Sequence, residues 1–221
     1  LAGSLDELNQ TRRHLQQDMV ADAELIVAQF DAGEQTTGLS VYHESFHQGV
    51  VGIVAGRLRE KFHRPAIVFA DAGGAAPDEL KGSARSIDGV NIRDVLDSIA
   101  TRYPGLLIKF GGHAMAAGLS IKKVHLPRFH KVFDKAVAQV VTEDMLSASL
   151  LTDGSLAGED LNLQTVELLA GAGPWGSGFA EPLFSGEFAL ISQRVVGDTH
   201  LKLVVKHDNR VIDCIAFSQP M

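Results

Sequence analysis

The sequence predicts an α/β domain followed by a mostly β tail. Strand and helix periodicities alternate through about residue 146. Within that stretch Ala66 to Ala70 is an unbroken apolar run of the kind buried on both faces of a sheet. After it, three strand-like runs at 184–196, 199–206 and 210–217 succeed one another with only turn residues between them. At 221 residues and 45% hydrophobic, the chain is long enough to bury two small cores. The expected domains are a helix over 1–35, an α/β domain over 36–146 and a β domain over 147–221.

In order, Leu5, Leu8, Leu15, Met19, Ala23, Ile26, Val27 and Phe30 recur at helical spacing and predict one long amphipathic helix, punctuated by Gly33 and Gly38. Leu39 to His43 reads as a short strand. Ser45 is a good N-cap for a helix starting near Phe46, in which Gly49, Gly52 and Gly56 allow close packing on a sheet. Its basic end, Arg57 to Arg64, suits a helix C-terminus, and Pro65 stops it. The strand at 66–70 follows, then a Gly, Ala and Asp-rich loop at 71–79, then KGSARS at 81–86 as an extended segment. Ile92 to Arg102 is a helix. Leu106, Leu107, Ile108 and Phe110 read as a buried strand leading into GGHAMAAG at 111–118, where Ala114, Ala116 and Ala117 suit a tight helical turn. Leu119 to Ile121 returns as a strand. Leu126 to Val140 is an amphipathic helix whose polar side, with Lys122 and Lys123 before it, carries Arg128, Lys131 and Lys135; that basic face either lines a nucleic-acid path or is simply solvated. A short helix around Leu161 to Leu169 and a Gly/Pro loop at 171–178 precede the three strand runs, with turns at Gly197–Asp198 and Asp208–Asn209.

Net charge is −7, but it is unevenly spread. Residues 45–140 hold 14 basic and 8 acidic side chains, whereas 141–221 hold 4 and 11. The basic centre contains the glycine–histidine stretch and would attract a phosphate-rich ligand in a salt-sensitive way. The single cysteine, Cys214, excludes an internal disulfide and favours a reducing compartment. No apolar run approaches a membrane span and no signal-peptide pattern opens the chain, so a soluble, cytoplasmic protein is expected.

Four motifs bear chemistry. In 111–118 the pair Gly111 and Gly112 lets a ligand approach bare backbone, and His113 places an ionisable donor beside it; a core histidine in a glycine turn is the plainer alternative. Ser83 and Arg85, two apart on an extended chain, offer a hydroxyl and a guanidinium on one side; an arginine in a surface ion pair is the commoner fate. HESFH at 43–47 fits the zinc-protease spacing, but that motif needs both histidines on one helical face, and here they straddle a strand–helix junction. Trp175 is a candidate for stacking on a base, set against the more frequent role of a packing anchor.

GGHAMAAG resembles the signature of the DHH-associated domain in the DHH phosphoesterase superfamily. HQGVVGIVAGRL at 47–58, HRPAIVFA at 63–70, KGSARS at 81–86 and GPWGSGFAEPLF at 173–184 extend the resemblance to its RecJ family of single-strand-specific DNA exonucleases. It implies a DHH-associated α/β domain behind a linker helix, followed by an OB-like partial barrel that the chain leaves incomplete. It implies 5′-to-3′ degradation of single-stranded DNA in repair and recombination, with Ser83 and Arg85 on the 5′-terminal phosphate. Gly111, Gly112 and His113 would lie at the scissile phosphate, and His113 would be catalytic. No metal ligands are expected here. Mn²⁺ or Mg²⁺ would be held by Asp and His motifs of a preceding catalytic domain, so the 221 residues alone are expected to be inactive. Single-stranded DNA and that domain are the implied partners, with a single-strand DNA-binding protein and a helicase by family analogy, and no membrane.

Two other classes share the glycine–histidine stretch. One is a phosphoesterase for short RNA or cyclic dinucleotides, which would end after the α/β domain. The other is a non-catalytic RNA-binding module like the C-terminal domain of alanyl-tRNA synthetase. KGSARS and the 173–184 segment favour the exonuclease.

Overall fold

The computed structural model describes residues 2–30, 36–74, 76–176, 179–197, 200–217 and 219. The chain divides into two compact units, Leu1–Ala148 and Ser149–Met221.

The first unit is built around strand β2, Ala66–Asp71, whose Ala66, Ile67, Val68, Phe69 and Ala70 are all 0% exposed. A strand this apolar must be covered on both faces, and alternation deals its side chains to two separate cores. Ala66, Val68 and Ala70 join a core with Met19, Ala23 and Val27 of α1 (Ala2–Phe30) and Val51, Val54, Ala55 and Leu58 of α2 (Val51–Phe62). Ile67 and Phe69 join the other, with α3 (Ile92–Arg102) and α4 (Leu126–Ala138). There Phe69 meets Phe129 edge-on at 5.4 Å, and Phe129 stacks on Phe133. The result is three layers: two helices, a five-stranded sheet, two helices.

The sheet runs β1-β2-β3-β5-β4, with β1 at Leu39–Tyr42, β3 at Glu79–Arg85, β4 at Lys109–Gly112 and β5 at Ala116–Lys122. Only β1 and β2 are parallel, joined by α2 as crossover; every other neighbour is antiparallel.

Several sequence expectations change. GGHAMAAG is a β-hairpin rather than a loop and helical turn: Gly111 lies opposite Gly118 and Gly112 opposite Ala117. Small residues on both strands let the backbones pair without a helix between them. The strand before it is not the buried Leu106–Phe110 but Lys109–Gly112, at the edge of the sheet and largely exposed. Helix α2 starts at Val51, five residues later than Phe46. The His43 Nδ1 contact to Ser45 Oγ (2.8 Å) and the Gly49 N–H donated to His47 Nδ1 (3.0 Å) hold 43–50 in turns that compete with the helix. The hydroxyl expected to cap is thereby engaged, and Val50 ends the turn with no side-chain cap. At α3 the cap is present: Asn91 Oδ1 accepts from the Arg93 and Asp94 amides. Gly33, Asp198 and Thr199 lie outside the described residues.

The second unit carries α6 (Leu163–Ala172), capped by Asn162, and an antiparallel sheet β6-β7-β8 at Ala189–Val196, His200–His207 and Arg210–Ala216. The first of these strands starts five residues later than Phe184, because Leu183 and Ser185 bond instead to Asp153 and Gly154. Asp208 adopts φ 52° in the tight turn between β7 and β8, as its Asp-Asn sequence suggests. One further short helix, α5 (Glu143–Leu146), was not signalled by periodicity.

Candidate nucleic-acid interface

On β3 the even residues Leu80, Gly82 and Ala84 are buried, while Lys81, Ser83 and Arg85 turn to the α2 side. Cross-strand partners share a face, so the register extends this side across the sheet in rows. Arg85 lies opposite Ala116 of β5, and His113 bonds back to Ala116 O through its own N–H at 2.8 Å. Ser83 lies opposite Gly118, which lies opposite Gly111. Lys81 lies opposite Ser120, which lies opposite Lys109. One face thus gathers Arg85, Ser83, Lys81 and Lys109 across two strand spacings, roughly 10 Å, and about 13 Å along the strands, with His113 just beyond the end of β4. The acidic exception, Glu79, sits at the far end opposite Lys122.

Helix α2 covers only part of this face. A Cβ on Gly52, in its first turn, would come within 2.9 Å of Arg85 Nη2 and 3.1 Å of Ser83 Oγ. Arg85 Nη1 donates to Ser83 Oγ at 3.1 Å and to Ala84 O at 2.9 Å, which fixes the guanidinium over the hydroxyl. A cleft of about 430 Å³ opens there, lined by Gln48, Gly49, Gly52, Lys81, Ser83 and Arg85. A helix start presents amides without intrahelical acceptors and a positive dipole end, so helix, hydroxyl and guanidinium suit one phosphate. Gln48 braces the rim, donating to Asp71 O and Ala72 O at 2.8 Å and accepting from Lys81 Nζ at 3.2 Å.

Beyond the cleft the floor is bare. A Cβ on Gly111 would meet nothing within 4 Å, and one on Gly118 only Gly82 O at 3.9 Å. Among the described residues no packing demand explains these two glycines. Gly112 differs: its φ of +147° and a would-be Cβ 2.4 Å from Ala116 O make it a requirement of the hairpin. The hairpin tip is held by Ile92 N–H to Ala114 O and Ser86 N–H to Met115 O, both 2.9 Å, which leaves His113 exposed on a fixed backbone.

The structure thus brings together Ser83, Arg85, Gly111, Gly112 and His113, with His113 outside the core. It adds Lys81, Lys109, Gly118, Gly52 and Gln48. Two of these were readable: Lys81 and Lys109 stand two residues before Ser83 and Gly111 on their strands. HESFH lies at a strand end and in turns rather than on a helix. Among the described residues no three His, Cys, Asp or Glu side chains gather to hold a metal. Trp175, in the second unit, is half-buried and packs on Phe179 at 4.9 Å, with its indole N–H buried and without a partner among the described residues. Gly56 makes no close approach, unlike Gly52. The basic side of α4 lies in the opposite helical layer from the cleft.

Two shifted groups lie off this face. Lys123 Nζ pairs with Asp71 Oδ1 at 3.0 Å and stands over the Tyr42 ring, while Tyr42 donates to Asp71 Oδ2 at 2.9 Å. Hydrogen bonds to Tyr42 and Asp71 push the Lys123 ammonium well above its usual range, and burial raises the Tyr42 phenol. This cluster ties the ends of β1, β2 and β5 together and withdraws Lys123 from the free cations.

Residues 24–139 match the DHHA1 domain family and residues 152–221 the RecJ OB domain. The single-stranded-DNA-specific exonuclease RecJ of Salmonella typhimurium is 45% identical over 99% of this chain and 38% of that protein; the Escherichia coli protein is 44% identical over the same shares. The chain therefore spans 38% of the length of these curated relatives. The crystal structure of Thermus thermophilus RecJ in complex with Mn²⁺ matches over 98% of this chain and 30% of that one, with a TM-score of 0.75 at 26% identity. No helix among the described residues is long and apolar enough to cross a membrane. By its sheet, its glycine–histidine hairpin and the match over residues 24–139, the chain belongs to the DHHA1 domain family, and it is similar to part of RecJ.

Proposed function

We propose that this chain is the strand-gripping half of a 5′-to-3′ single-strand DNA exonuclease, working in the cytoplasm in repair and recombination. The observation that carries the reading is the shared face of β3, β5 and β4. It sets a cleft at Ser83 and Arg85 beside an open glycine floor that ends at His113. The 5′-terminal phosphate sits in the cleft, accepting from the Ser83 hydroxyl and the Arg85 guanidinium. The strand crosses Gly118 and Gly111, where bare backbone lets a phosphodiester come close, with Lys81 and Lys109 beside it. His113 donates to a non-bridging oxygen of the scissile phosphate and stabilises charge that develops there. Divalent-metal chemistry belongs to a catalytic domain outside these residues. The RecJ OB match over 152–221 favours this reading over a phosphoesterase for short RNA or cyclic dinucleotides and over an alanyl-tRNA-synthetase-type module.

The test is Arg85→Ala in the intact exonuclease, comparing 5′-phosphorylated with 5′-hydroxyl oligonucleotides. The phosphorylated substrate should lose about 1–3 kcal/mol of binding, the range for a charged hydrogen bond, and the hydroxyl substrate much less. Equal losses would remove Arg85 from the terminal phosphate.

A further inference from the structure

We propose that the α3–α4 face, on the far side of the sheet from the cleft, is a second surface for the backbone of a single-stranded nucleic acid. It rests on the reading above for the identity of the strand, and it assigns that strand a longer footprint. The end of α3 and one side of α4 enclose a pocket of about 120 Å³ lined by Ser98, Arg102, Tyr103, Lys135 and Gln139. Arg102 Nη1 donates to Gln139 Oε1 at 2.6 Å, which holds its guanidinium at the mouth. Arg128 stands 5.5 Å over the Tyr103 ring. With Lys131, these make four exposed cations on two helices.

None of the four forms an ion pair among the described residues. The acids on these two helices are placed elsewhere. Asp134, the acid of α4, accepts from the Thr37 and Gly38 amides at 2.7 and 3.0 Å on the side facing β1. Asp94 and Asp97 of α3 lie five or more residues back from Arg102, about 7.5 Å or more along the axis. On α4 the steps from Arg128 to Lys131 to Lys135 are three and four residues, roughly 4.5–6 Å of rise each. That is a row of charges at intervals comparable to successive phosphates, beside a small pocket. A row of unneutralised cations without a deep apolar pocket suits a nucleic-acid backbone better than an acidic peptide, which would need an anchor for its side chains.

The experiment uses the 221-residue chain, 5′-phosphorylated oligothymidylates of 6 and 30 residues labelled at the 3′ end, and binding followed across a salt series. Arg102→Gln with Lys135→Gln should lower the salt dependence of 30-mer binding by about 1.4 in log–log slope, two phosphate contacts at about 0.7 each, and leave the 6-mer unchanged. Both side chains are exposed, and an unchanged melting temperature confirms that the variant folds. An unchanged 30-mer slope overturns the proposal, as does equal weakening of 6-mer and 30-mer. So does a variant that loses affinity for a polyglutamate peptide and not for the 30-mer, which assigns the face to an acidic protein. Arg85→Ala on the 6-mer separates the two ideas: if it has no effect the cleft reading fails, whatever the 30-mer does.

Discussion

His113 projects from a hairpin tip that is pinned through Ala114 and Met115 to the 86–92 segment. Its backbone is therefore fixed while its ring is exposed, the combination a preorganised donor needs. In the intact exonuclease His113→Ala should lower kcat by about 10² or more, with a small effect on melting temperature, because no core contact is lost. Single-turnover rate and thermal melting on the same variant decide it: a destabilised protein with near-normal turnover would sink the catalytic role. At this scale the sequence was most legible where alternation could be trusted. Ser83 and Arg85 share a side as two-apart residues on a strand must. The structure adds what pattern could not: the partner residue across each strand, and the empty space over Gly111 and Gly118. Register depends on turn placement and packing that no local window contains.

The β4–β5 hairpin is the element on which the proposed interface depends, and its two adjacent glycines differ in their surroundings. Gly112 is needed by the fold, since any side chain there would collide with Ala116 O and Ala117 Cα and would have to hold φ near +147°. Gly111 has open space above it. Gly112→Ala should therefore cost about 1–3 kcal/mol or more of stability by urea denaturation, the range for a strained backbone. Gly111→Ala should stay within about 0.5 kcal/mol and instead weaken binding of a short oligonucleotide. Equal destabilisation by both would mean that the floor serves packing rather than a ligand. The same hairpin shows where sequence reading ran out. A run of Gly and Ala is compatible with a loop, a helical turn or a strand, because small side chains remove the steric cues that separate them. The apolar run at 66–70 was unambiguous because β-branched and aromatic residues flanked by a proline leave fewer options.

Across the whole molecule, layers are joined to the sheet by a few polar links. Asp134 of α4 holds the amides before β1, and His130 meets the Ser40 hydroxyl inside the same seam. Burial pushes the His130 imidazole below its ordinary value. The folded protein then takes up this proton at lower pH than the unfolded chain does, so the stability from a neutral His130 is fully present above about pH 6.5 and is lost as pH falls below it. Urea midpoints between pH 8 and 5 should fall on acidification, and His130→Gln should flatten that fall. An identical slope in the variant would show that other groups cause it. The three-layer order was readable from β2 alone, but this seam was not, since it joins residues ninety positions apart.

The place of β4 at the border of the sheet has a consequence for how the protein behaves in company. A border strand offers unpaired amides and carbonyls to any passing chain, and flat apolar borders invite stacking of one molecule on the next. Here that rim is four residues long and consists of lysine, one phenylalanine and two glycines, a charge and a stretch of low strand preference where a sticky border would carry valine and isoleucine. The composition that leaves room for a phosphate also makes a poor template for self-association, so selection for a ligand floor and selection against fibre formation would act on the same few positions.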